Sequence, residues 1–338
     1  MATLGCGYEI TQDTTLDSDL TCAAGPALVI AADNVTLDLG GHSVSGPAAP
    51  GSGPAILLRN VSECTVRNGT VEHFDAGIVI SGGRHNVVEY VTAQDNVGAP
   101  DGDFGDGIVL SSSIDNRIRH NTVQRNGPFS GISLVQDCSG NDIHDNVVSD
   151  NNMMQTGDPS AGRQDMGIRL EGPAASHNKV TRNHVTGSGS NGITIHPTCI
   201  NLDSCAGTPP NEHNEIAYNT ANHNGTSGRG DGITLFNAGQ AVAPTRNAVM
   251  HNTAEHNATY GIAFDGGSSE NRAAGNRAQG NATYDGYDGN SSPACDANAW
   301  ERNHFALVNQ PCVSQPVSRA ASGLRVDPGG SSSVGAQG

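Results

Sequence analysis

The sequence predicts an all-β solenoid of stacked coils, and three observations carry that prediction. The first is a phrase in which Asn is followed by any residue, an aliphatic or Ala, two residues, a second Asn, any residue and then Val or Ala. It occurs six times, from Asn116-Arg-Ile-Arg-His-Asn121-Thr-Val to Asn271-Arg-Ala-Ala-Gly-Asn276-Arg-Ala, at spacings of 24 to 37 residues. Fixed-period self-similarity of this length is the mark of a repeat architecture, because each coil buries its apolar face only against its neighbours. The second is a Gly-Ile strand start after the copies, at Gly131, Gly167, Gly192, Gly232 and Gly261, with Gly77 and Gly107 upstream. The third is composition: 44 Gly, abundant Asn and 4% aromatic residues disfavour helix and leave a thin aliphatic core.

In chain order, residues 1–30 read as an N-terminal cap tied by Cys6 and Cys22, and residues 31–313 as the coil array. Asn34–Gly46 alternates as a strand should, and Cys64-Thr-Val-Arg-Asn-Gly-Thr-Val repeats the pattern with Cys where later coils carry Asn. Residues 295–313 form a closing coil containing the single Trp, Trp300, and residues 314–338, rich in Ser, Gly and Ala, read as a disordered tail. Six of the eight Cys fall into close pairs, Cys6 with Cys22, Cys199 with Cys205, and Cys295 with Cys312, which suggests disulfides and an oxidising compartment. Cys64 and Cys138 lie three coils apart, roughly 14 Å at one strand spacing per coil, too far to bridge, so both are expected free or buried. The Asn rows read as amide ladders at the coil corners rather than as ligands.

A net charge of −17 argues against nucleic acid or an anionic membrane as partner. No apolar run reaches the roughly 20 residues that span a bilayer. The opening Met1-Ala-Thr-Leu-Gly-Cys6 reads as a mature secreted chain behind an initiator Met, without a signal peptide, and a monomer is expected.

In its Asn-x-aliphatic-x-x-Asn phrase and Gly-Ile starts, the chain resembles the right-handed parallel β-helix family of pectate-lyase-like secreted proteins over residues 30–313. The Cys295, Trp300, Asn303, Phe305 and Cys312 element resembles the end coil of many of its bacterial members. The resemblance implies a single-stranded right-handed parallel β-helix with disulfide-tied caps. It also implies a usual substrate class, polysaccharides, met by lyases, epimerases, hydrolases and non-catalytic binders. The chain departs from the family's enzymes as well. Pectate lyases use Arg and Lys clusters, whereas the only Lys here is Lys179, and the Asn-Thr-Asp, Asp-Asp, Gly-His-Gly pattern of polygalacturonases is missing.

Alternation in the Gly-Ile strands places two rows outward. One runs Val79, Val109, Ser133, Arg169, Thr194, Thr234, Ala263, and the other Ser81, Ser111, Val135, Glu171, His196, Phe236, Asp265. Arg169, Glu171, Thr194 and His196 therefore form one patch. The loops ahead of it carry Arg163-Gln-Asp165 and Arg229-Gly-Asp231, and the loop holding Cys199 and Cys205 follows it, which suggests a groove. In the leading reading, a polysaccharide lyase or uronate epimerase, His196 is the base, Glu171 orients it and Arg169 neutralises a uronate carboxylate. The bland alternative is an exposed, salt-bridged patch on a polar sheet. Thr194, Arg229, Arg163, Asp265 and Phe236 would contact the glycan. A glycoside hydrolase would pair Asp165 or Asp231 with Glu171; a non-catalytic carbohydrate-binding or surface protein would use the groove without turnover. Asp101, Asp103 and Asp106, in a Gly-rich loop, are candidate calcium ligands, and the alternative for them is a solvated acidic loop. The Tyr284-Asp-Gly-Tyr-Asp288 run precedes the closing coil and reads as structural.

Overall fold

The computed structural model describes residues 4–99, 105–152, 165–172, 174–196, 208–237, 242–291 and 294–314. Each coil contributes one strand to an eleven-stranded parallel sheet that runs from Tyr8–Ile10 to Tyr284–Asp288. Two shorter strands per coil make the other faces; the Val87–Gln94 strand turns the corner between them, pairing with both Arg117–Arg119 and Thr122–Gln124. Residues ahead of 31 already belong to this architecture, since Tyr8–Ile10 pairs in parallel with Leu28–Ile30.

Register explains the core. Ile78, Ile108, Ile132, Ile168, Ile193, Ile233 and Ile262 stand on one another through successive strands, and all are fully buried. Parallel strands repeat every ~4.8 Å, so like residues stack on like and the interior becomes aliphatic columns. The preceding Gly is required by closeness: a Cβ on Gly167 would lie 2.3 Å from a Val185 methyl and 2.5 Å from the Gly192 carbonyl oxygen.

The Asn phrase is the corner hardware, and it has a third member five residues beyond the second. Asn116, Asn121 and Asn126 sit in one coil, Asn141, Asn146 and Asn151 in the next. In each row the Oδ1 of one Asn accepts the backbone N–H and the side-chain amide of the Asn one coil before, as Asn146 does for Asn121 at 3.0 Å each. The amide also donates to a backbone carbonyl, Asn146 to Ile118 at 2.8 Å. Residues just before these Asn have positive φ, among them Asp115 (55°), His120 (55°) and Arg125 (52°). Left-handed backbone costs roughly 1–2 kcal/mol per L residue, and the ladder bonds of the following Asn offset it.

Disulfides join Cys6 to Cys22 and Cys295 to Cys312, with Cα separations of 5.7 and 6.2 Å. Cys64 and Cys138 are free and buried. Cys199 and Cys205 lie outside the described residues. Cys64 occupies the head of an Asn ladder, its N–H donating to Asn86 Oδ1 at 3.0 Å. Trp300 is buried at the far end, 4.5 Å from Phe264 and donating its indole N–H to Asp288 at 2.9 Å. Val313, in the short Pro311–Ser314 helix, is also buried there. The tail from residue 315 lies outside the described residues, and among those described no helix is long and apolar enough to cross a membrane.

A candidate active-site groove on the long sheet

Strand register reproduces both outward rows. Val109 pairs with Ser133, Ser133 with Arg169, Arg169 with Thr194, Thr194 with Thr234 and Thr234 with Ala263. The second row passes from Val135 through Glu171 to His196. Burial is where the expectation needs correcting, because facing away from the core does not here mean facing water. Ser133, Thr194, Thr234 and Ala263 are fully buried, and Arg169 is only 5% exposed. The hydroxyls of Thr194 and Thr234 have no hydrogen-bond partner among the described residues, so the covered row is a polar floor.

Arg169 belongs to an internal network rather than to an open surface. Its guanidinium lies 4.3 Å over the Phe129 ring and pairs with Glu171. Burial pushes the guanidinium pKa down and the Glu171 carboxyl up, while the pair's mutual attraction opposes both shifts. Asp106 is the first residue of the Asp106–Ser111 strand; its Oδ1 accepts the Ser133 hydroxyl at 2.8 Å. Burial raises it to about 7, against the Ser133 bond and the Arg169 charge. Asp106 is enclosed in the fold with its carboxylate already holding the Ser133 hydroxyl. Asp101 and Asp103 lie outside the described residues, as does Arg163. A different trio, Glu72, His73 and Asp95, has ligand atoms within 4.8 Å of one another, but Ser45, Gln94 and Arg125 already engage its carboxylates.

A carboxyl whose folded pKa exceeds its unfolded value stabilises the fold fully below the unfolded pKa and loses that contribution as pH rises through the folded one. For Asp106 the window runs from 3.8 up to about 7. Unfolding midpoints of the native protein should therefore fall across that window more steeply than those of Asp106→Asn. Parallel profiles would mean that Asp106 is ionised against Arg169 in the folded state.

The open part of the site is a pocket of about 780 Å³ over the next strands. His196, Phe236 and Asp265 line one end, and Arg229, Asp231 and Tyr260 the other. Arg169, Glu171, Thr194 and Asp165 are not among its walls. His196 stacks on Phe236 with ring centroids 4.9 Å apart, and Asp265 follows one strand on, its N–H donating to Leu235. Asp265 accepts the Asn237 N–H at 3.0 Å, and burial raises its carboxyl despite that bond. Asp231 accepts the Tyr260 N–H at 3.1 Å, and its own N–H donates to the Asn191 side-chain oxygen at 2.8 Å.

The same register separates the carboxylates that a hydrolase would pair. Asp165 precedes the Met166–Glu171 strand and Glu171 ends it, a run of about 20 Å at roughly 3.3 Å per residue. Asp231 lies level with Tyr260, and Asp265 is five residues further along, about 16 Å by the same rise. Neither matches the about 5 to 9.5 Å that glycosidase carboxyls need, and Asp231 is offset from Glu171 in the same sense. Sequence reasoning also missed Tyr260 as a pocket wall; its place directly before a Gly-Ile start, one coil after Asp231, was the available signal.

The right-handed β-helix region family model matches residues 27–172. Together with the coil geometry above, it identifies the fold as a right-handed parallel β-helix. Among solved structures it is similar to the Dettilon tailspike protein, at 16% identity and TM-score 0.57, over 88% of this chain and 54% of that one. It is also similar to an alginate lyase from Paenibacillus sp. str. FPU-7 (15% identity, TM-score 0.56, 90% and 93% covered). A third likeness is a periplasmic alginate epimerase (14% identity, TM-score 0.55, 88% and 74% covered). The chain spans only about half of the tailspike, and at such identities the likeness is one of fold. No curated protein sequence matches it.

Proposed function

We propose that the protein is a secreted carbohydrate-active enzyme that moves a proton beside a uronate carboxylate, as a lyase or epimerase, in the groove over Phe236. The observation that carries this reading is the placing of His196 and Asp265 on strands either side of Phe236, both on the pocket wall. Two strand spacings, roughly 10 Å, leave room for a sugar ring above Phe236 between a base and an acid. His196 takes the proton from the carbon next to the carboxylate. Asp265, whose carboxyl pKa burial pushes up, returns one to the departing oxygen in a lyase or to the opposite face of that carbon in an epimerase. Arg229, on the pocket wall, takes the carboxylate-clamping role that buried Arg169 cannot fill. Glu171, locked by Arg169, stands beside His196 in the neighbouring strand and orients it. Two disulfides and the alginate-active neighbours support secretion and a polysaccharide substrate.

The test is a screen of acidic and neutral polysaccharides, with and without calcium, that follows unsaturated product, reducing ends and solvent exchange of the sugar C–H together. Unsaturated product identifies a lyase, and exchange without cleavage an epimerase. Reducing ends alone move the reading to a hydrolase, and silence in all three channels to a non-catalytic binding protein.

A further inference from the structure

Tyr260 and Tyr287 stack face to face, with centroids 4.3 Å apart and planes 5° from parallel, and Tyr284 closes the group at 6.2 Å from Tyr260. The Tyr284–Asp288 strand is the next coil on, so the run that read as structural brings its second tyrosine behind a pocket residue. Tyr260 and Thr283 line the pocket, and Tyr287 does not. One face of the Tyr260 ring is therefore taken by Tyr287, and Tyr260 itself stands on the pocket wall. The two tyrosines are partly exposed, and burial pushes both hydroxyls up first; Tyr287, Asp231 and Asp265 add to the shift of Tyr260, and Asp265, Asp288 and Asp231 to that of Tyr287.

We propose that Tyr260, backed by Tyr287, is a stacking platform for a sugar ring of the glycan bound in this groove. A rigid aromatic face matches the C–H face of a pyranose, and the adjacent Asp231 accepts hydroxyl hydrogens from its rim. Tyr260 and Phe236 line one pocket from neighbouring coils, so a chain of sugars lying in it meets both aromatic surfaces. This rests on the reading of the groove as a glycan site, but not on which bond is attacked.

Titration calorimetry with oligomannuronates and α-1,3-gluco-oligosaccharides, each from dimer to hexamer, tests it. The wild-type protein is expected to gain affinity with chain length in at least one series. Tyr260→Ala should remove that gain, about tenfold for the longer chains, which is the scale of one aromatic contact. Tyr260→Phe keeps the ring and should bind as wild type, whereas Tyr287→Ala should lose part of the gain. Unchanged binding by Tyr260→Ala, equal losses in Tyr260→Phe and Tyr260→Ala, or no binding of either series by the wild type would overturn the platform. Turnover by the wild type separates the two readings: a wild-type protein that binds these chains but turns over none of them sinks the proton-transfer reaction and leaves the platform standing.

Discussion

Replacing Asn183 by alanine is expected to destabilise the protein by about 3–5 kcal/mol, far more than its single side chain's contact area suggests. Asn183 sits in the middle of a ladder. Its Oδ1 accepts the Asn146 backbone N–H and side-chain amide at 3.0 Å each, and its own amide donates to Ile143 O at 2.8 Å and Asn219 Oδ1 at 3.1 Å. Truncation strands two buried donors and one carbonyl at once, in a coil corner where water has no access. The neighbouring Arg182 is the contrast: it pairs with Asp145 at 2.9 Å but is half exposed, and Arg182→Ala should cost no more than about 1 kcal/mol. Denaturant unfolding of the two variants checks the difference. Equal, small losses would show that the ladders are not what holds the coils in register.

The second large effect concerns activity. His196→Ala is expected to lower turnover by about 10²–10⁴, the usual scale of a lost general base, with the unfolding midpoint unchanged because the ring is on the pocket wall. Asp265→Asn should reduce the rate comparably and should also remove the fall in rate at rising pH. That fall belongs to the acid form, because burial raises the carboxyl pKa and activity is lost as pH climbs past it. Retained turnover in both variants would leave the groove without its chemistry. Glu171→Gln is a poor probe of the same idea, since it leaves the buried Arg169 charge without its carboxylate and confuses orientation with stability.

Coil phrase and Gly-Ile starts were legible as a solenoid because both are local: each residue's neighbour above and below is its own counterpart one repeat away. The third Asn row escaped notice although Asn126 follows Asn121 by the same five residues that separate Asn116 from Asn121. Ser188 interrupts that row, and loops of unequal length follow it, so it does not end in a shared phrase. Arg169 shows the limit more sharply. Its outward direction followed from alternation along Gly167–Glu171, yet it is buried and lies against Phe129, which belongs to the preceding coil.

By itself the sequence determined the stacked coils, the two outward rows and the close Cys6–Cys22 and Cys295–Cys312 pairs, because alternation and repeat spacing are properties of short segments. Only the tertiary structure decided which outward residues are covered, that Arg169 faces Glu171 rather than the groove, and that Tyr287 backs Tyr260. Those outcomes turn on how loops and side chains of different coils pack together, and packing between coils is set by the whole stack rather than by any one repeat.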